Sequence, residues 1–131
     1  MGNQTSEATA TDRSCPVYVV NNTGGTLSEI TFTHRYNGDN KVSKTFTNLA
    51  NGSKEYAFDA KYRTGFVTTG HDYWWVSFKA GGHVFACKDD FYCYLTADDD
   101  GKDVILKVTM NNLHVGCPAS SSCDVAINQV G

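Results

Sequence analysis

"GHDYWWVSF", residues 70–78, packs a tyrosine and two adjacent tryptophans into one short run. Neighbouring side chains of an extended strand point to opposite faces, so the two tryptophans cannot enter the same core. Trp74, Val76 and Phe78 share a face with Ala80 and read as core. Tyr73, Trp75, Ser77 and Lys79 share the other, a mixed face with two large amphipathic rings. "FYCYLTA", residues 91–97, divides in the same way, with Phe91, Cys93 and Leu95 inward and Tyr92 and Tyr94 outward. If the two runs are neighbours, Trp75 has companions in Tyr73, Tyr92 and Tyr94. Outer rings of this kind are either covered by loops or exposed as a recognition patch.

The same alternation extends along the chain. "PVYVVNN", "SEITFTHR", "KVSKTFTN", "KEYAFDA", "HVFACK", "DVILKVTM" and "CDVAINQV" are rich in β-branched and aromatic residues, and most alternate with period two. "YNGDN" (36–40), "ANGS" (50–53), "AGGH" (80–83) and "DDGK" (99–102) separate strand-like runs. Their Asn-Gly, Gly-Gly and Asp-Gly pairs supply the positive φ angles of tight hairpin turns. No stretch carries a capped helical period of ten residues. Pro16 and Pro118 fall at strand edges, where a missing N–H does least harm. About eight to ten short strands joined largely by hairpins specify an all-β fold, an antiparallel β-sandwich.

Residues 15–131 form this single domain, and 1–14, "MGNQTSEATATDRS", read as a disordered polar tail. The tail lacks the basic and apolar regions of a signal peptide. It fits an acylation pattern, with Gly2 as acceptor and Ser6 at the favoured position. Sequons begin at Asn3, Asn21 and Asn51, and they matter only on a secretory route. Cytoplasmic residence and export by a non-classical route both stay open. No window is apolar enough for a membrane span. With a net charge of −3 and no basic block, the sequence has no electrostatic footprint for nucleic acid.

Five cysteines stand at positions 15, 87, 93, 117 and 123, an odd count that leaves at least one thiol unpaired in a monomer. "CKDDFYC" and "CPASSSC" share a spacing suited to closing a tight loop. The expected pair is Cys87 with Cys93, and Cys117 with Cys123 or with Cys15. The absence of Cys-x-x-Cys spacing argues against a zinc site or a redox dithiol.

"TADDDGKD" groups Asp98, Asp99, Asp100 and Asp103 around one glycine, a set of hard oxygen ligands that calcium would take. The same residues make an ordinary solvated turn, and EF-hand spacing is absent. His34, His71, His83 and His114 lack any accompanying nucleophile or metalloprotease motif. His71 and Asp72 are adjacent in a strand, so their side chains diverge. His34 follows Ile30 and Phe32 in alternation and reads as a capped histidine at a strand end. A small hydrolase therefore has little support.

"VNNTGGTLSEITFTHRY", "TGFVTTGHDYWWVSF", "CKDDFYCYLTADDDGK" and the late "SSSC" resemble the "up-regulated in Daf" domain family, associated with nematodes and fungi. The likeness runs from about residue 17 to 126. Gly70 to Trp75 is its most specific part, and Cys87 to Asp100 comes next. Cys15 and "NNLHVGCP" around Cys117 stand outside it and read as a local addition. The resemblance implies an all-β fold and no catalytic residues. Two non-catalytic uses remain. One is a recognition protein, of a defensive kind for instance, that takes a glycan or lipid headgroup on Tyr73, Trp75, Tyr92 and Tyr94 or on its loops. The other is a membrane-active or self-assembling sandwich of cytolysin type, an analogy of fold alone.

Overall fold

The computed structural model describes residues 11–65 and 70–131. Ten strands follow one another as β1 (Thr11–Asn21), β2 (Leu27–Tyr36), β3 (Asp39–Leu49), β4 (Lys54–Thr64), β5 (Asp72–Ala80), β6 (His83–Ala86), β7 (Val104–Val108), β8 (Asn112–Gly116), β9 (Cys123–Ala126) and β10 (Asn128–Gln129). A 3-10 turn over Ala97–Asp99 precedes β7. The strands form two five-stranded sheets, ordered β4-β1-β7-β8-β9 and β10-β6-β5-β2-β3. The all-β sandwich expected from the alternation is thus the fold, with one departure. β1 and β7 run parallel, Val17 beside Val104 through Asn21 beside Val108. Parallel neighbours need a crossover, and here the chain passes through the opposite sheet between them.

Alternation sets the core. β1 sends Cys15, Val17, Val19 and Asn21 inward, β7 sends Val104, Leu106 and Val108, and β8 sends Leu113 and Val115. Opposite them lie Leu27, Ile30, Phe32, His34 and Tyr36 of β2, with Trp74, Val76 and Phe78 of β5. Leu27 and Ile30 both enter the core although three positions apart, because the β2–β5 register slips between Ser28 and Thr31. Glu29, at φ 46°, occupies the bulge.

Of the expected hairpin turns, "YNGDN" joins β2 to β3 and "AGGH" joins β5 to β6. Gly81 and Gly82, at φ 59° and 81°, provide the latter's backbone. "ANGS" instead carries the chain from β3 to β4, which lie in different sheets, and "DDGK" leads from the 3-10 turn into β7. "FYCYLTA" forms no ladder of its own. It meets β5 through the single bridge of Tyr73 with Tyr92 before entering the 3-10 turn. β8 falls in the segment read as an addition, yet it supplies Leu113 and Val115 to the core.

β1 begins at Thr11, so residues 11–14 are strand where the sequence suggested tail. The acylation pattern at Gly2 and Ser6 and the sequon at Asn3 lie outside the described residues. Asn21 is fully buried, its side-chain amide donating to the carbonyls of Gly25 and Leu49. A glycan there is incompatible with this packing.

Candidate functional site: an aromatic platform over a buried carboxylate

β5 opens with Asp72, whose side chain turns inward beneath the outer aromatic face. Its Oδ1 lies 2.8 Å from His34 Nε2, and both groups are buried. The backbone amide of Leu95 donates to its Oδ2 at 2.9 Å. His34 is therefore not a capped strand-end residue. It continues the inward row of Ile30 and Phe32 and meets a carboxylate from the neighbouring strand, with the Trp74 ring 4.6 Å from its own. A buried carboxylate is costly unless each oxygen finds a donor, and here the two donors come from different chain segments.

That arrangement straps residues 91–95 to the edge of β5. The Trp74 amide donates to Phe91 O at 3.1 Å, the Cys93 amide to Asp72 O at 2.9 Å, and the Trp74 indole to Cys93 O at 3.0 Å. Phe91, Cys93 and Leu95 are buried, so Tyr92 and Tyr94 are thrown outward, each 47% exposed. Cys93 is disulfide-bonded to Cys123 of β9, which ties the strap to the other sheet.

His71 stands among the tyrosines. Its ring lies 5.8 Å from Tyr73, 4.6 Å from Tyr92 and 5.1 Å from Tyr94. Tyr94 Oη and His71 Nε2 are 3.0 Å apart in a hydrogen bond. Tyr92 also meets Tyr73 at 6.2 Å and Tyr94 at 5.4 Å, both edge-on. The Arg35 guanidinium covers the Tyr73 ring at 3.9 Å and donates to Asn37 O. Asn37 in turn accepts the His71 amide on Oδ1 at 2.8 Å.

Tyr73, Tyr92 and Tyr94 thus come together as the alternation implied, but Trp75 makes no ring contact with them. It is half-buried, its indole donating to Cys87 O at 3.1 Å, and it lines a cleft of about 280 Å³ with Thr33, Arg35, Lys41 and Asp89. Arg35 borders both the cleft and Tyr73, so platform and cleft form one continuous surface. Arg35 and Asn37 carry no signal in the sequence, and His71 stands there among four histidines without a motif, not as a member of this platform. For His71 the signal was present, since residues 71, 73 and 75 fall on one face by the same alternation.

Gly70 has a separate reason to be glycine. A Cβ there would fall inside the Tyr36 ring, which is 2% exposed and whose hydroxyl donates to Arg63 O.

The acidic run does not gather into a cage. Asp99 is buried and accepts from the Thr96 amide and hydroxyl, the Ala119 amide and the Ser120 hydroxyl. Burial alone raises a carboxyl pKa, but the hydrogen bonds from Ser120, Thr96 and Ala119 outweigh it and hold Asp99 below the ordinary value. Asp100 points elsewhere, to the Ser14 amide and the Arg13 guanidinium, and is likewise lowered. Asp98 and Asp103 are exposed. Among the described residues no group of three or more His, Cys, Asp or Glu is placed to hold a metal. Asp99 and Asp100 serve as local anchors of loops.

The cysteines also pair differently from the expectation. Cys93 bonds Cys123, and Cys15, Cys87 and Cys117 are free and buried. Cys87 fails to reach Cys93 because it stays beside Val76, exchanging backbone and sulfur contacts with that strand. The strap meanwhile crosses toward β9. Cys15 is likewise unbridged, its thiol donating to Asp99 O at 3.0 Å.

The platform is built from the two segments whose sequence carries the family resemblance, Gly70 to Trp75 and Cys87 to Asp100. A family described as Up-Regulated in long-lived daf-2 matches residues 11–115. The chain belongs to that family. Among curated proteins, none matches it. The family match takes in every residue of the platform. It also includes Cys15 and Asn111 to Val115, which the sequence reading placed outside, and it ends short of Cys117 and Cys123. One end of the disulfide thus lies within the Up-Regulated in long-lived daf-2 region and the other beyond it.

Proposed function

We propose that this member of the Up-Regulated in long-lived daf-2 family is a carbohydrate-recognition module whose ligand lies across Tyr73, Tyr92 and Tyr94. The supporting observation is that Tyr92 and Tyr94 are half exposed while the intervening Cys93 is buried and cross-linked. Rings held this way are aromatic anchors that lose little freedom on binding. The apolar face of a sugar packs on such rings, and its hydroxyls need donors and acceptors at the rim. Arg35, Asn37, His71 and the tyrosine hydroxyls provide them, and the adjoining Trp75 cleft extends the surface for a second unit.

A lipid-inserting reading finds less support. The large exposed hydrophobic residues among those described are Tyr56, Tyr92, Tyr94 and Val130, and a tyrosine hydroxyl resists entry into hydrocarbon. A glycan array, run beside binding and dye release on vesicles without glycolipid, tests the proposal. Selective glycan binding without dye release supports it. Binding to bare vesicles in the absence of any glycan signal overturns it in favour of the lipid reading.

A further inference from the structure

The Cys93–Cys123 disulfide has a third sulfur beside it. Cys117 Sγ lies 3.9 Å from Cys93 Sγ, on the buried side. Cys117 follows β8 and Cys123 opens β9, so the two flank one short loop, "PASSS". That loop is fixed at its middle, where the Ala119 amide and Ser120 hydroxyl bind Asp99. It is also fixed near its end, where Ser122 Oγ accepts the Cys117 amide at 3.1 Å. The arrangement holds a free thiol against one sulfur of an existing bond.

We propose that Cys117 is the internal nucleophile of a thiol–disulfide exchange that moves the bond of Cys93 from Cys123 to Cys117. The Cys117 thiolate donates its electron pair to Cys93 Sγ, the Cys93–Cys123 bond breaks, and the bonding pair leaves on Cys123 Sγ. The proton lost by Cys117 is returned to Cys123 through water, so the step is an isomerisation that needs neither oxidant nor reductant. Bond formation requires Cys117 Sγ to approach from 3.9 Å to about 2.05 Å, an adjustment of rotamer scale.

The two forms differ at the surface. The present bond fastens the tyrosine strap to the start of β9, and the exchanged bond fastens it to the end of β8. Exchange also frees Cys123, which is half-buried and lines a cleft of about 260 Å³ with Tyr94, Thr96, Ser120 and Ser121. The released thiol therefore opens on solvent beside Tyr94, whereas the attacking thiol is buried. This inference stands independently of carbohydrate recognition.

Burial pushes the Cys117 thiol up to about 11, with Ser120 opposing and the charges of Asp99, Asp72 and Cys15 reinforcing the rise. Only a small thiolate fraction exists at neutral pH, and it grows about tenfold per pH unit below that value. The exchange is accordingly slow at pH 7 and steeply accelerated by alkali.

The test incubates the folded wild-type chain with iodoacetamide at a series of pH values between about 7 and 9. Acid quenching and non-reducing peptide mapping follow, with the native melt checked at each pH. A Cys93–Cys117 peptide that accumulates together with alkylated Cys123, about tenfold faster per pH unit, is the expected result. Cys117→Ser keeps the Cys93–Cys123 peptide and leaves Cys123 unlabelled. A wild-type chain that stays folded and yields only the Cys93–Cys123 peptide overturns the proposal. So does direct alkylation of Cys117, or equal labelling of Cys123 in Cys117→Ser. The wild-type time course decides the matter even if the variant fails to fold.

Discussion

Asp72 and His34 face each other at 2.8 Å inside the sandwich, and the second carboxylate oxygen of Asp72 holds the amide of Leu95. One buried side chain thereby joins β2, β5 and the strap that carries Tyr92 and Tyr94. Asp72→Ala strips partners from both His34 and Leu95 in one step. The expected cost is about 2–6 kcal/mol, since two buried groups each lose a hydrogen-bond partner at about 1–3 kcal/mol apiece. Asp72→Asn keeps an acceptor for Leu95 and should lose less. Urea denaturation of the two variants checks the order, and an Ala variant as stable as wild type would remove the claim that Asp72 anchors the strap.

The paired tryptophans should separate by function. Trp74 is fully buried against His34 and donates its indole N–H to Cys93 O, so Trp74→Ala should cost about 3–5 kcal/mol. Trp75 is half-buried on the outer face with one hydrogen bond to Cys87 O. Trp75→Phe should cost about 1 kcal/mol, the worth of that bond. Thermal melts compare them directly, and equal losses would reverse the facing assignment.

The facing of these two residues is legible because alternation is unbroken along the inward and outward positions of β5 from Asp72 to Phe78. The platform's tyrosines followed from the same rule. Three features were not legible, each for a physical reason. The His34–Asp72 pair depends on the register of β2 against β5, where Tyr36 stands opposite Asp72, and periodicity within a strand carries no register between strands. The Cys93–Cys123 bond ties the strap to β9 of the other sheet, whereas spacing points to Cys87 with Cys93, and to Cys117 with Cys123 or with Cys15. β8 was passed over because "NNLHVG" is short and opens on two asparagines, although Leu113 and Val115 alternate as a strand should.

Gly70 is the place where one added carbon should disturb the platform's base. The Cβ of Gly70→Ala would meet the buried Tyr36 ring, and that ring's hydroxyl is tied to Arg63 O. Overpacking of this kind costs about 1–3 kcal/mol. Gly25→Ala, where a Cβ meets nothing within 4 Å, is the control. A Gly70→Ala melt equal to that of the control would contradict the close packing.

Asp99 predicts an acid response. Its folded-state pKa lies below the ordinary 3.8, so the carboxylate contributes stability that is complete above 3.8 and drains away as pH falls through the folded value. Asp99→Asn should therefore be less stable than wild type by about 2 kcal/mol at pH 7, with the gap closing as pH falls through the lowered folded-state value. Denaturation across that range measures it. A gap that stays constant with pH would mean that the charge of Asp99 is not what holds the Ala119–Ser120 loop.

The carbohydrate-recognition account rests on the outward tyrosines, and affinity measured on a double variant tests it most directly. Tyr92→Ala/Tyr94→Ala removes both exposed rings and leaves Cys93, Asp72 and Trp74 in place, so its melt should match wild type closely. Its affinity for the strongest glycan found on the array should fall at least about 30-fold, the equivalent of one hot-spot ring at 2 kcal/mol. Tyr56→Ala, which removes an equally exposed ring on the opposite sheet, should bind as wild type. A double variant that is folded and binds the glycan with unchanged affinity would contradict the account.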